Sequence, residues 1–389
     1  MKKYMRLFIT FAFTVLVIGI LYIQHVVANY DAVMLKTLAG NDVELRKVVL
    51  DLSVWKDDIN IPARLENGKI HISNQYSLWE TITGAKLSPE IKNLIKKERN
   101  FMRGKVGNNE NYFEDEEYLA YVNVHYITEL RIENKGTPEQ YEYYHHVPGL
   151  IVDVLEKESD KRWSFPLELS DDEDISFINV EDVQLMAGVL KVLTRVSPYE
   201  EGEYYQFSTI DFTTGKIIAT SKIEAPEEAE AIFFINNMKN LKPEHYYLFS
   251  IPIVNEDMAS EEVTEKYYLF DLETEEMTEL SFDPGLYGKV VTAEDGEIYF
   301  ANQQNGLEVT VYNIETEELK TLSFPDVKDD EGFTYVRQDH GNYYIAKTNQ
   351  RNTIRLFIVE GESGEILYEG EISHNDEQIE IYLADLSVL

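Results

Sequence analysis

Cysteine is absent from this 389-residue chain. Disulfides, thiolate metal sites, a cysteine nucleophile and a lipid-modified cysteine behind an export signal are excluded together. Basic residues are scarce: 35 Lys and Arg stand against 71 Asp and Glu, for a net charge of −36. A surface of that sign repels nucleic-acid phosphates and anionic lipid, which argues against a nucleic-acid partner. The motifs of common chemistries are missing as well. There is no G-x-S-x-G elbow and no convincing S-x-x-K pair. Neither a G-x-x-x-x-G-K-[ST] phosphate loop nor a G-x-G-x-x-G turn occurs, so no nucleotide cofactor is implied.

Acids are plentiful but poorly arranged for a cation. The runs Glu114–Glu117, Asp171–Asp174 and Asp329–Glu331 lack the alternating D-x-D-x-D-G order that a hard cation needs, and Asp326–Phe333 comes nearest without meeting it. These runs read as solvated loops, and no metal site is expected. His71, His125, His245, His340 and His374 are scattered without metal spacing. The densest aromatic–histidine cluster is Tyr143-Tyr144-His145-His146. His145 and His146 are the candidates for acid–base work, but neighbouring strand residues point to opposite faces, so both can serve one site only in a turn.

What the chain does have starts at its N-terminus. Lys2, Lys3 and Arg6 precede an uncharged stretch from Leu7 to Ile23, about the length of a membrane-spanning helix. The basic head would stay in the cytoplasm and the bulk of the chain outside. Residues 1–28 are therefore expected as a single-pass anchor in the cell membrane. The alternative is a signal peptide cut after Ala28, which the length of the apolar run disfavours. Export without a cysteine lipid anchor points to a Gram-positive surface. Residues 29–44 read as a linker and 45–389 as one domain.

With 26 Tyr and 18 Phe, that domain favours strands. Strands leading into aromatic or apolar pairs begin near Lys69, Tyr118, Val189, Tyr246, Ile298 and Tyr343, in steps of about 49, 71, 57, 52 and 45 residues. Residues 286–324 hold four strands separated by Asp295-Gly296, Asn305-Gly306 and a turn at Glu315–Glu317. Asp-Gly and Asn-Gly between apolar runs are strong hairpin signals because both residues tolerate positive φ. The next unit repeats the plan with His340-Gly341, Gln350–Asn352 and Glu362–Gly364.

The third hairpin is written repeatedly: Asp211 with Thr214 and Gly215, Asp271 with Thr274, Asn313 with Thr316, and degraded copies near Glu360 and Glu156, with a possible first copy near Thr83. A residue needed in every copy serves the turn, where Asp or Asn and Thr bond nearby backbone. On these hairpins the chain resembles β-propeller repeat proteins, over roughly residues 45–389, although it lacks the Trp-Asp signature of one large class. The resemblance implies an all-β fold, a single β-propeller of six blades. Seven stays open because the longest step has room for hidden strands. The C-terminal run from Gln378 is expected to pair with the first blade and close the ring.

One stretch breaks the β pattern. Residues 87–105 read as a helical insertion, with Ser88 as N-cap, Pro89 in the first turn, Ile91, Leu94, Ile95 and Met102 on one face, and Gly104 as the stop. Lys92, Lys96, Lys97, Arg99, Arg103 and Lys105 give it a charge of about +4 against the strongly acidic remainder. These six residues are the candidate partner-binding set, for lipid headgroups, an anionic polymer or an acidic envelope protein. The alternative is that they pair with the chain's own acids. The expected function is a membrane-anchored, extracytoplasmic binding, sensory or scaffolding module. The competing expectation is an envelope hydrolase or lyase with its site in the propeller's axial funnel.

Overall fold

The computed structural model describes residues 33–56, 59–72, 87–105, 108–133, 135, 141–169, 175–198, 202–226, 229, 231–235, 241, 243–254, 263–280, 289–294, 296–302, 307–324, 334–348, 353–374 and 379–388. The N-terminal segment 1–28 lies outside them, as do the turn at Asn305-Gly306, the hairpin copy near Thr83 and the acidic runs 171–174 and 329–331. Among the described residues no helix is long and apolar enough to cross a membrane.

The described elements are overwhelmingly strands. They open with β1 (Val33–Gly40), β2 (Val48–Lys56), β3 (Ile59–Glu66) and β4 (Lys69–Ile72). Two short helices follow, α1 (Pro89–Lys97) and α2 (Arg99–Met102). Next come β5 (Tyr112–Glu114), β6 (Tyr118–Glu133), β7 (Tyr141–Glu156) and β8 (Lys161–Glu168), then β9 (Ile175–Met186), β10 (Val189–Pro198), β11 (Tyr204–Asp211) and β12 (Lys216–Ile223). β13 (Phe233–Phe234), β14 (Tyr246–Val254), β15 (Val263–Asp271) and β16 (Met277–Glu279) precede β17 (Lys289–Glu294), β18 (Glu297–Asn302), β19 (Leu307–Asn313) and β20 (Leu319–Phe324). The chain ends with β21 (Thr334–Asp339), β22 (Asn342–Thr348), β23 (Ile354–Glu360), β24 (Ile366–His374) and β25 (Ile379–Val388).

Among the described residues these strands form six sheets, five containing four strands consecutive in the chain and one with the order β25–β2–β3–β4, an arrangement consistent with a propeller. Four sheets are consecutive meanders: β5–β8, β9–β12, β13–β16 and β17–β20. The other two exchange the chain termini. β25 pairs antiparallel with β2, from Val48 opposite Val388 to Lys56 opposite Ile379, as expected of the tail. β1 adds a fifth strand to the last sheet, pairing with β24. The stretch expected as a linker, 29–44, thus contains a paired strand over Val33–Gly40. Five of the six predicted unit starts fall on the second strand of a sheet, but Lys69 begins the outermost strand β4 of the first sheet. There the second strand is β2.

The contacts divide the chain into two compact units: Met1–Lys86 with Gln303–Glu308 and Leu322–Leu389, and Leu87–Asn302 with Val309–Thr321. In the first unit, the period of two along β2 buries Val48, Leu50, Leu52 and Val54 against Ile379, Ile381 and Leu383 of β25 and Ile354, Leu356 and Ile358 of β23. Each such side chain contributes roughly 1.5–3 kcal/mol by leaving water. In the second unit, Phe207, Tyr247, Phe249 and Phe270 pack between successive sheets, with Phe207 and Phe270 ring centroids 4.9 Å apart in an edge-on geometry.

The turns account for the regularity. Asn67-Gly68, Ala187-Gly188 and His340-Gly341 each place two consecutive residues at positive φ, the geometry of two-residue hairpins. The third hairpins share another turn. Asp160, Gly215, Glu275, Glu317 and Gly364 all have φ between 55° and 72° and each follows the first turn residue by four. Asp211 Oδ1 accepts from the Thr213 and Thr214 amides, Asp271 Oδ1 from Glu273 and Thr274, and Asn313 Oδ1 from Glu315 and Thr316. The repeated Asp and Thr serve the turn, as their recurrence implied.

Candidate functional site

The helical insertion is built as its sequence dictates at its start. Ser88 Oγ accepts from the Ile91 amide at 3.2 Å and Pro89 occupies the first turn. Ser88 Oγ also donates to Asn109 Oδ1 at 2.6 Å, tying the cap to the chain leading into β5. Ile91, Leu94, Phe101 and Met102 are buried against Tyr112, Leu119, Tyr121, Leu155 and Leu241.

Two expectations fail in the second half. The helix is not continuous to residue 105: α1 stops at Lys97, and Glu98 takes φ −118° and ψ 49° before α2 begins. Beyond the break Phe101 and Met102 join Ile91 and Leu94 in the apolar cluster, while Ile95 is left 37% exposed instead of packing.

The six cations divide. Gly104, at φ +80°, turns the chain, and Lys105 points inward. Its Nζ lies 2.9 Å from Asp153 Oδ2, donates to the Phe101 carbonyl at 2.6 Å, and sits 4.1 Å from the centroid of the Phe101 ring. Its side chain is 5% exposed. Lys105 is therefore withdrawn from the partner-binding set; it latches the insertion to β7. Arg162 completes the group, its NH2 2.9 Å from Asp153 Oδ1. Burial works to raise the Asp153 pKa, but hydrogen bonds from Ser164, Lys105 and Arg162 outweigh it and hold the carboxyl below its ordinary value. Burial lowers the Lys105 pKa, with Asp153 opposing.

Lys96, Lys97, Arg99 and Arg103 are exposed. None of the four has an acidic partner among the described residues. Lys92 is half-buried and engages neighbours. The bare arc is thus four exposed cations along α1 and the segment after it, with the exposed Ile95 among them.

His145 and His146 occupy consecutive positions inside β7, opposite Glu129 and Thr128 of β6, and not in a turn. His71, His125, His245 and His340 are exposed and His374 is half-buried. Among the described residues no three His, Asp or Glu side chains are disposed to hold a metal ion. In the acidic run before β6, Glu114 pairs with Lys157 at 2.8 Å and Asp115 accepts from the Glu117 and Tyr118 amides, which assigns both to local structure.

One buried acid has no counterpart among the sequence candidates. Asp182 Oδ2, on β9, accepts from Tyr247 Oη of β14 at 2.6 Å and from Gln184 Nε2 at 2.8 Å. Burial pushes its pKa up to about 6, against the hydrogen bonds from Tyr247 and Gln184. The ladder with β10 skips Glu181, so Leu193 faces Asp182 and Thr194 faces Val180. This bulge puts Asp182 on the opposite face of β9 from Ile178 and Val180, where it is also buried. Elsewhere, in the first unit, a cleft of about 330 Å³ is lined by Leu35, Thr37, Asp42, Leu45, Arg46 and Lys69 among others.

No family model matches the chain, and no curated protein does. Solved structures that resemble it include a mutant apocarotenoid oxygenase from Synechocystis (10% identity, 87% of this chain and 73% of that one, TM-score 0.38). An uncharacterized protein of Listeria monocytogenes matches at 9% identity over 68% of this chain and 67% of that one, with TM-score 0.34. The β-propeller domain of the Trilobed protease from Pyrococcus furiosus matches at 10% identity, 66% of this chain and 82% of that one, with TM-score 0.28. Likenesses this distant carry no activity over to the chain.

Proposed function

We propose that the chain is a non-enzymatic binding module of the cell envelope. In this reading the six sheets are the six blades of one propeller, held outside the cytoplasm by the apolar segment near the N-terminus, and the helical insertion is its contact surface. The observation that carries it is the bare arc of Lys96, Lys97, Arg99 and Arg103, unpaired among the described residues of a chain with net charge −36. Cations so outnumbered by acids would find intramolecular partners if folding were their use, as Lys105 does. An exposed arc of one sign steers and orients a partner of the other.

The test is crosslinking and capture from native membranes with the full chain and with the Lys96→Glu, Lys97→Glu, Arg99→Glu variant. The reading requires that the variant lose the captured envelope component while folding normally. Capture of the same component by both proteins would overturn it.

A further inference from the structure

The shape and charge of the arc go further than an unspecified anionic partner. We propose that the arc binds a linear phosphodiester polyanion, a flexible chain carrying one negative charge per repeat, and neither a membrane plane nor a folded acidic protein. This inference rests on the envelope-binding reading of the same four cations.

Three features select that chemistry. The first is extent. Lys96 to Arg103 are seven residue steps apart, at most roughly 25 Å even for an extended chain, and the rest of the molecule is strongly acidic. A bilayer or a globular protein large enough to cover the arc brings its own negative charge against that acidic surface. Charges interact over a Debye length of about 8–10 Å at physiological salt. A thin chain crossing the arc stays within reach of the four cations and avoids most of the acids. The second feature is the donor set. Arg99 and Arg103 offer planar forks suited to phosphate oxygens, and Lys96 and Lys97 add point charges. All four are exposed on the insertion, where successive repeats can be met without a pocket. The third is pre-organisation. The Ser88 cap and the Lys105–Asp153–Arg162 group fix both ends of the insertion, so its backbone does not have to be ordered on binding.

The arc should therefore bind by counterion release, with an affinity that falls steeply with salt. The probe is fluorescently labelled poly(glycerol phosphate), titrated into the full chain held in discs of zwitterionic lipid. Monomeric glycerol phosphate, poly-glutamate and vesicles containing phosphatidylglycerol serve as separate arms. The polymer should bind, with a log–log salt slope of roughly −3 for four cations at about 0.7 each. Changing Lys96, Lys97, Arg99 and Arg103 to Gln should flatten the slope and weaken binding at least tenfold, and changing them to Glu should abolish it. Any of four results would overturn the inference: no polymer binding, an unchanged slope in the Gln variant, equal affinity for the monomer, or equal affinity for poly-glutamate or anionic vesicles. If the polymer fails to bind yet charge reversal still abolishes capture from native membranes, the polymer is wrong and the envelope-partner reading stands. If capture is also unchanged, both fall.

Discussion

Lys105 and the arc formed by Lys96, Lys97, Arg99 and Arg103 belong to one short insertion, yet their surroundings are opposite. Lys105 is dry, ion-paired and pressed against an aromatic ring. The four others stand in water with no acidic partner among the described residues. A buried charge cannot be spared its partner, because desolvation is worth several kcal/mol per ion. An exposed charge loses little by being alone. The contrast separates charges that the fold uses from charges it merely carries, and substitutions on either side can break or sharpen that division.

The largest effect should come from Asp153. Asp153→Ala leaves Lys105 buried without its counter-ion, while Arg162, which is 43% exposed, can turn to solvent. Loss of one partner from a buried pair costs about 3–5 kcal/mol. Equilibrium denaturation should register it, together with lost amide protection in α1. The pH dependence has a definite sign. The folded Asp153 pKa is lowered, so its stabilisation is present above the ordinary carboxylate pKa and is lost as pH falls through the lower folded value.

Asp182 is the opposite case, a buried acid whose described contacts include no cation. Its folded pKa of about 6 lies above the ordinary 3.8. The folded state therefore binds more protons than the unfolded one between those values, and stability falls as pH rises from about 4 to about 6. The full difference is roughly 3 kcal/mol, taking 1.36 kcal/mol for each pH unit. Asp182→Asn keeps an oxygen for Tyr247 and Gln184 and removes the charge. It should be more stable than the parent at pH 7.5 and no different at pH 4. Denaturation curves at the two pH values check this, and an unchanged difference between the proteins would show that the acid is compensated.

How much of this was legible in the sequence depends on how local each cause is. The third-hairpin turns were readable because Asp211, Asp271 and Asn313 bond amides two and three residues away. The Ser88 cap and the Gly104 stop were readable for the same reason. β1 was not: as an edge strand its burial pattern has no alternation, with most positions exposed. Nor was the latch, since Lys105 and Asp153 stand on separate elements and meet only when the insertion folds back on β7. Asp182 escaped because a bulge, invisible in the pattern of residue types, reversed its face.

Glu275 and Glu317 repeat the contrast within one turn position. Both are non-glycine residues at positive φ, 60° and 57°. Glu275 Oε1 accepts from Lys191 Nζ at 3.2 Å and from Thr209 Oγ1 at 2.9 Å, and Lys191 is buried, also donating to the Leu272 carbonyl. Glu317 is exposed. Replacing either by Gly relieves backbone strain of about 1 kcal/mol, offset in part by the greater freedom of the unfolded chain. Glu317→Gly should therefore stabilise slightly, by about 0.5 kcal/mol. Glu275→Gly should destabilise by roughly 1–3 kcal/mol, because it strips a buried ammonium of its carboxylate. Thermal denaturation of the two variants side by side decides it, and matching shifts would mean that the Lys191 contact contributes nothing.

The smallest effect on stability belongs to the arc itself. Reversing Lys96, Lys97, Arg99 and Arg103 to Glu touches no buried contact and leaves Ser88, Lys105 and Asp153 in place. Each such surface change should fall within about 0.5 kcal/mol. Glu at Lys96 and Lys97 does meet the negative end of α1, where cations are favoured by about 0.3–1 kcal/mol, so the set should lean slightly toward destabilisation. A neutral control at the same positions separates that dipole contribution from repulsion by the acidic surroundings. Denaturation midpoints close to the parent's would place the arc among charges that the fold carries without needing. A loss comparable to that of Asp153→Ala would show that acids of this chain hold the arc in place, and its cations would then belong with Lys105.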